Sequence, residues 1–307
     1  MKAVILTQFY SWLSAFCDDP WIRTTVIQSL KRLPRLRHIS FTIHRLDVGL
    51  PLQLLANLDS ISISIWGSMT KEVYHETLLN LSHLIAHSPN LSQLEMDWGY
   101  FADHAVDVVQ DLHRLFQSYP PHQAPLKLRR LSLEGCTVRL DDIILPHLQH
   151  LTSLHLVNLL NQDQGWLPSF GESAAIGSFI DDIWVAVANL QIQLKDIEVD
   201  SIPVTLFDYL ETYSGLERLT LGLSHVYDPK SLDPAATRFF KDSLPHHAPS
   251  IKYLSVQAGS ESLWYFGAHN IAAISQCTRL EDLYINVCHD RWATDSSSQY
   301  GIVSTLR

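Results

Sequence analysis

The chain has 307 residues, of which 46% are apolar and 18% are charged, and its formal net charge at pH 7 is -10. This apolar content is sufficient for a large core and argues against long disordered segments. The negative charge argues against a nucleic-acid binder, because such proteins present a basic face to the phosphates. Four scattered cysteines without a C-x-x-C pair argue against a disulfide scaffold and a zinc site built on paired cysteines.

The N-terminal region, residues 1–35, is predicted to be a helical cap. Apolar residues between 5 and 16 recur at spacings of three and four, which favours an amphipathic helix over a secretory signal peptide. Asp19 followed by Pro20 suits the N-cap and first turn of a helix that runs to about Arg32. The chain has no uninterrupted apolar run of about 18 residues, so a membrane span is not expected.

The pattern L-x-x-L-x-L recurs along the rest of the chain. We call each copy a phrase and its first, fourth and sixth positions anchors; every anchor is Leu, Ile, Val, Phe or Met. The last two anchors alternate with polar residues, which predicts a short strand with one buried face. The nine phrases occupy residues 36–41, 58–63, 91–96, 128–133, 151–156, 194–199, 216–221, 251–256 and 280–285.

Segments with helical spacing separate the phrases. The predicted helices lie at 72–90, 101–120, 174–189, 203–213, 234–243 and 264–276. Successive phrases begin 22 to 43 residues apart. A single strand and helix cannot bury their apolar faces, whereas stacked units form a parallel sheet that is covered by helices.

This repeat resembles that of leucine-rich-repeat proteins. The family places Asn or Cys at the ninth position of each phrase, and Cys136 and Cys288 occupy that position in two phrases. The closest likeness is therefore to the cysteine-containing, ribonuclease-inhibitor-like class, which is common in the substrate-reading region of F-box proteins, including fungal ones. The other phrases carry different residues there, so an asparagine ladder is not expected. No F-box is recognisable in residues 1–35.

The resemblance implies an α/β fold of one kind: a leucine-rich-repeat solenoid, or horseshoe, of about nine irregular repeats. Its parallel β-sheet would line the concave side, with helices on the convex side, over residues 36–290. Residues 291–307 form a C-terminal tail that ends where a tenth phrase would begin. This position indicates either a truncated chain or a sheet edge that pairs with another chain. Cys136 and Cys288 are expected to point inward and to be unreactive.

No residue is singled out for catalysis, and neither a cofactor nor a metal is expected. His83 and His87 lie four apart on a predicted helix, which suits a metal ligand pair, but no acidic partner completes an H-E-x-x-H motif. The segment GESAA at 171–175 lacks the closing glycine of a nucleophile elbow. Because GxGxxG and phosphate-binding loops are also missing, we predict that the chain is not an enzyme.

Two features have alternative interpretations. Trp66 and Trp98 each follow a predicted strand, and they either anchor a partner at the rim of the sheet or pack beneath the turn. The long gap after the fifth phrase begins with 158–173. This segment is either a projecting loop that contacts a ligand or an insertion with buried aromatic residues.

The third, fifth and seventh positions of each phrase are expected to point outward from the concave side. Seven acids and two bases, Arg130 and Arg218, occupy these positions, so the face carries half the net charge of the chain. Such a face predicts capture of a basic segment, with two tyrosines as aromatic contacts. The predicted partner-binding residues are Glu95, Asp97, Glu134, Asp196, Glu198, Asp200, Tyr253, Asp282 and Tyr284.

These features predict an intracellular protein–protein interaction scaffold, cytoplasmic or nuclear. The resemblance implies a substrate-recognition subunit like the F-box/leucine-rich-repeat adaptors of ubiquitin ligases, with ligase subunits as partners if an F-box precedes residue 1. The alternative is a regulatory or inhibitor protein of the same repeat class that binds an enzyme without any link to ubiquitin. In both cases the partner is a protein, and neither nucleic acid nor a membrane is expected.

Overall fold

A computed structural model describes residues 20–43, 49–65, 70–98, 112–159, 177–223, 232–258 and 262–287. The chain divides into two compact units. The first comprises residues 1–151 and 158–179, and the second comprises residues 152–157 and 180–307. Each unit is α/β, because parallel strands and helices alternate along its chain.

Four parallel strands form the sheet of the first unit, in chain order. They are β1 (His38–Ile43), β2 (Ser60–Ile65), β3 (Gln93–Asp97) and β4 (Arg130–Glu134). The fourth-position anchors of the phrases, Ile39, Ile61, Leu94 and Leu131, are register partners from one strand to the next. A row of apolar side chains therefore crosses this sheet on one side.

Five parallel strands form the sheet of the second unit, again in chain order. They are β5 (Ser153–Val157), β6 (Asp196–Val199), β7 (Arg218–Leu223), β8 (Tyr253–Ala258) and β9 (Asp282–Ile285). Leu154, Ile197, Leu219, Leu254 and Leu283 form the equivalent apolar row. Strands that pair in the order of the chain are those expected of a stacked repeat.

The phrases predict the strands closely. Each of the nine strands begins at the third position of its phrase, so the first anchor lies in the turn that enters the strand. Every anchor is buried except Leu280, which is half-buried. The nine-strand prediction is therefore confirmed, and the α/β class with it.

Helices connect the strands. They are α1 (Pro20–Lys31), α2 (Lys71–Ala86), α3 (Leu112–Phe116), α4 (Gly177–Asn189), α5 (Val204–Leu210), α6 (Asp233–Arg238), α7 (Leu244–His247) and α8 (Ile271–Ser275). Short 3-10 turns lie at Leu52–Leu54 and Leu145–Leu148, and a π-helical turn at Phe239–Ser243 joins α6 to α7. None of the described helices is both long enough and apolar enough to span a membrane.

Most helix predictions agree with these bounds. The helix predicted to begin at Pro20 is α1, and Thr70 caps α2 by accepting the Val73 N–H at 3.4 Å. Of the helix predicted over 101–120, residues 101–111 lie outside the described residues. Within 112–120 only α3 is helical, so the helix ends before the predicted Pro120.

The helix predicted over 264–276 is shorter than expected, because only α8 is helical. Asn270 explains the difference. Its side chain accepts the Gly267 N–H at 3.0 Å and donates to the Tyr265 carbonyl at 2.8 Å, which closes a turn ahead of the helix. An asparagine that bonds neighbouring backbone groups in this way favours a turn over a helix.

Buried side chains complete the turns that enter several strands. In four places of the described chain, a backbone N–H at or just before a first anchor donates to a side chain from the segment leading to the next phrase. These are Leu58 to Ser88 Oγ (3.2 Å), Leu126 to His147 Nδ1 (2.9 Å), Leu194 to the Tyr209 hydroxyl (3.0 Å) and Leu216 to His247 Nδ1 (3.3 Å). Acceptors of different chemistry thus satisfy buried donors that water cannot reach.

Two of these acceptors are neutral histidines. Each accepts through Nδ1, which must then be unprotonated, and burial lowers the pKa of both His147 and His247 to about 4. His147 packs against the rings of Phe116 and Tyr119, and His247 packs against Tyr213. Protonation would remove the acceptor and leave a cation in an apolar environment.

Candidate functional site

The side of each sheet that carries the third, fifth and seventh positions of the phrases is called the polar face below. Burial alternates along the strands as predicted: in β2, Ile61, Ile63 and Ile65 are buried while Ser60, Ser62 and Ser64 are half-buried. All nine predicted partner-binding residues are half-buried at these positions. The polar faces of the two units have different chemistry.

The polar face of the first unit contains paired charges. Glu95 on β3 and Arg130 on β4 form an ion pair with Oε1 and Nε 2.7 Å apart. Glu134 accepts a hydrogen bond from the Asn158 side chain at 3.0 Å, and Asp97 is its register partner on β3. Arg130 offsets one of the three negative charges on this face, and the Asn158 amide donates a hydrogen bond to another.

The polar face of the second unit centres on Asp196. One carboxylate oxygen accepts a hydrogen bond from Ser153 Oγ at 3.0 Å and lies 3.0 Å from His155 Nε2. The other oxygen lies 3.9 Å from Nε of Arg218 on the next strand. Asp196 is therefore held in one orientation by strands on both sides of β6.

His155 also contacts Glu198, whose carboxylate lies 3.3 Å from Nδ1. Ser153 Oγ lies 3.3 Å from Nε2 of the same ring, so a serine, a histidine and a glutamate follow one another as in a catalytic triad. The serine hydroxyl, however, donates to Asp196, and Ser153 and His155 are each only 8% exposed. These contacts orient the carboxylates and do not present a nucleophile to solvent.

Two tyrosines lie beside this network. The rings of Tyr253 on β8 and Tyr284 on β9 have centroids 5.4 Å apart and are inclined at 41°. The guanidinium carbon of Arg218 lies 4.2 Å from the centre of the Tyr253 ring, a cation–π contact. Asp282 is the register partner of Tyr253, and its carboxylate has no hydrogen-bonding or ionic partner in the described part of the chain.

The structure thus brings six of the predicted residues together on one polar face. Three of them lie on or directly after β6: Asp196, Glu198 and Asp200. The other three lie on β8 and β9 of the same sheet: Tyr253, Asp282 and Tyr284. Glu198 is the most accessible of the contacts to His155, with a side chain 43% exposed. This arrangement combines an arginine and half-buried aromatic rings, which are residue types enriched in protein interfaces, with carboxylates that give the face a negative charge.

The remaining candidates are resolved where the structure describes them. Trp98 is 2% exposed and meets Tyr74 edge to face at 5.2 Å, which agrees with the packing interpretation. Cys136 is buried, as predicted, and burial raises the pKa of its thiol. Trp66 and Cys288 lie outside the described residues, as does the segment 160–176.

The predicted histidine pair lies at the C-terminal end of α2, where His83 is in the last turn and His87 follows the helix. His87 Nδ1 contacts the His83 carbonyl at 2.7 Å. In the described ranges, no group of three or more His, Cys, Asp or Glu side chains is arranged to hold a metal.

Sequence reasoning did not anticipate the buried roles of three histidines. His147 and His247 each lie four residues before the first anchor of the next phrase. This shared position in the repeat could have indicated a shared structural role. His155 occupies the fifth position of its phrase, directly across from Glu198 in register, and this pairing follows from aligning the fifth and sixth phrases.

We compared the chain with protein families, curated proteins and solved structures. No protein-family model, curated protein or solved structure matches the chain. The class of the protein therefore rests on its own strands and contacts: an α/β protein with parallel strands paired in chain order and a polar, partly aromatic face.

Proposed function

We propose that this protein is a leucine-rich-repeat scaffold, not an enzyme, that binds a basic segment of a protein partner through the polar face of its second unit. The observation that carries the proposal is the placement of Asp196 and Glu198 on the same face as the Tyr253–Tyr284 pair. Half-buried tyrosines on an open sheet face supply apolar contact area and a hydroxyl, which makes them frequent anchors in protein interfaces.

The charge of this face favours a basic partner. Its phrase positions contain four acids, Asp196, Glu198, Asp200 and Asp282, against the single Arg218. Three of these acids lie on or directly after β6, and Asp282 lies on β9, three strands away at about 4.8 Å per strand, so their charges contribute to one negative field on this face. Such a field steers a positively charged segment toward the face and raises its rate of association.

The family resemblance supports a more specific role. The L-x-x-L-x-L phrases with Cys136 at the ninth position resemble the cysteine-containing leucine-rich repeats of F-box adaptors. On this resemblance, the protein would act inside the cell as a substrate-recognition subunit. Recovery of ubiquitin-ligase subunits with the affinity-purified chain supports this role, whereas recovery of one enzyme whose activity the chain inhibits supports the inhibitor role instead.

The test of the binding face uses Asp196→Asn, Glu198→Gln and Asp200→Asn together. We expect the affinity for the purified partner to fall about tenfold and its salt dependence to become flatter. The variant removes three negative charges that attract the basic segment and pair with it. A control variant with Asp182→Asn, Asp242→Asn and Glu281→Gln removes three exposed acids of the same unit that are not on the polar face. Equal behaviour of the two triple variants would refute the assignment of this face.

A further inference from the structure

The second unit already contains one guanidinium held by its polar face. Arg218 lies with its guanidinium carbon 4.2 Å from the Tyr253 ring centre and its Nε 3.9 Å from an Asp196 oxygen. These three residues are register partners across β6, β7 and β8. The row therefore reads carboxylate, guanidinium, aromatic ring on three adjacent strands.

The same row continues onto β9 without a second cation. Asp282 is the register partner of Tyr253, and Tyr284 lies two residues further along the same face, its ring 5.4 Å from that of Tyr253. Within the described residues the Asp282 carboxylate has no partner. All three side chains are half-buried, so a ligand group placed between them would lose only part of its hydration.

We propose that Tyr253, Asp282 and Tyr284 form a receptor for an arginine side chain of the basic segment, which deepens the proposed function and rests on it. Arg218 on β7 shows that a guanidinium on this face contacts the Asp196 carboxylate on one side and the Tyr253 ring on the other. Asp282 and Tyr284 offer a carboxylate and a ring on β9, beside Tyr253, whose ring Arg218 already contacts. A planar guanidinium stacks on an aromatic face and forms paired hydrogen bonds with a carboxylate, whereas a lysine ammonium acts as a point charge.

The sheet also fixes the spacing of a second basic residue. Glu198 on β6 is three strands from β9, a distance of about 14 Å at about 4.8 Å per strand. An extended peptide rises about 3.4 Å per residue, so side chains at positions i and i+4 are about 14 Å apart and on the same side. Glu198 is in register with Tyr284 across β7 and β8. A segment of the form Arg-x-x-x-Arg that crosses the strands would therefore contact Glu198 with one arginine and reach Tyr284, and Asp282 two residues before it, with the other.

The test uses a fluorescein-labelled peptide, Ser-Arg-Ser-Gly-Ser-Arg-Ser, and its lysine counterpart, with binding to the full chain followed by fluorescence anisotropy at low salt. We expect the wild-type protein to bind the arginine peptide several-fold more tightly than the lysine peptide. Asp282→Asn and Tyr284→Leu should each weaken the arginine peptide by about tenfold. Glu281→Gln is the matched control, since it removes the same charge from the neighbouring residue, which is not on the polar face.

The outcomes separate this receptor from the function on which it depends. If Asp282→Asn weakens binding no more than Glu281→Gln, while Glu198→Gln still weakens it, the receptor is overturned and the basic-segment proposal stands. If neither peptide binds the wild type, or Glu198→Gln and Asp282→Asn both bind normally, both proposals fail. Asp282→Asn is isosteric, so it remains informative even if Tyr284→Leu prevents folding, which circular dichroism would show.

Discussion

The two units use the same phrase to build sheets with different polar faces. In the first unit, β2 presents only serines, and the charges of Glu95 and Arg130 satisfy each other. In the second unit, carboxylates are held by a histidine and an arginine beside a pair of tyrosines. The anchors specify where the strands lie and leave the intervening positions free to differ. The sheet is therefore common to both units, and the proposed binding function belongs to one.

The largest effect should come from removing an anchor in either unit. Leu131→Ala in β4 and Leu219→Ala in β7 each truncate a side chain that is 1% exposed. Each should lower the free energy of unfolding by about 2–5 kcal/mol, from lost burial and the resulting cavity. Urea denaturation measures both, with Leu79→Ala on α2, 45% exposed, as a control expected to cost under about 1 kcal/mol. A loss under about 1 kcal/mol at either anchor would contradict its place in the core.

Acid should weaken both units through the buried histidines. The pKa of His147 in the first unit and of His247 in the second is about 4, below the ordinary value of 6.5, so the unfolded chain binds protons first as pH falls. Stability that is complete above about pH 6.5 is therefore lost progressively toward pH 4. Between pH 6.5 and 5 each histidine should account for about 2 kcal/mol.

Urea midpoints measured from pH 7.5 to 5 test this expectation. His247→Gln should be less stable than the wild type at pH 7.5, because the Leu216 N–H loses its acceptor, and should show a smaller decline with pH. The neighbouring His246 is exposed, so His246→Gln should keep the wild-type pH dependence. An unchanged pH slope in His247→Gln would contradict the neutral buried state.

Arginine pairs of the two units should differ in strength. The Arg238 guanidinium donates two hydrogen bonds to the Glu211 carboxylate, at 2.8 and 2.9 Å, and one to Asp208 at 2.7 Å. Its side chain is 29% exposed. The pair of Arg130 and Glu95 has both side chains 36% exposed. Arg238→Gln should therefore cost about 1–2 kcal/mol and Arg130→Gln about 0–1 kcal/mol of unfolding free energy. A larger loss of unfolding free energy in Arg130→Gln than in Arg238→Gln, measured in the same buffer, would show that the bidentate pair is not the stronger one.

The last expected effect is on thiol reactivity and not on stability, and it should be alike in both units. Cys136 and Cys277 are buried, and burial raises the pKa of the Cys136 thiol and raises that of Cys277 to about 11. In a Cys17→Ser/Cys288→Ser background, both should react with a disulfide reagent at least about 100-fold more slowly in buffer than in denaturant. Rapid labelling of Cys136 in the native protein would contradict its inward placement.

The strands were predictable because each phrase combines three buried anchors with polar neighbours, and burial of those anchors outweighs local preferences. The late start of α8 was not predictable from the sequence. The Asn270 side chain competes for backbone groups, and only the folded turn shows which groups it reaches. In the candidate site, the alternation of β6 predicted that Asp196 faces outward. The contacts of Asp196 with Ser153, His155 and Arg218 depend on side-chain rotamers across three strands, which the sequence pattern does not specify.

The side chains that complete the entry turns also limit how the repeats can be exchanged. Ser88, His147, Tyr209 and His247 each serve a donor that belongs to the preceding phrase. Each donor lies ahead of its strand and each acceptor lies after it, so a crossover inside a strand joins a donor from one parent to an acceptor from the other. Exchange of repeats is therefore tolerated best when the crossover falls just before the donor, so that each donor is inherited together with its acceptor.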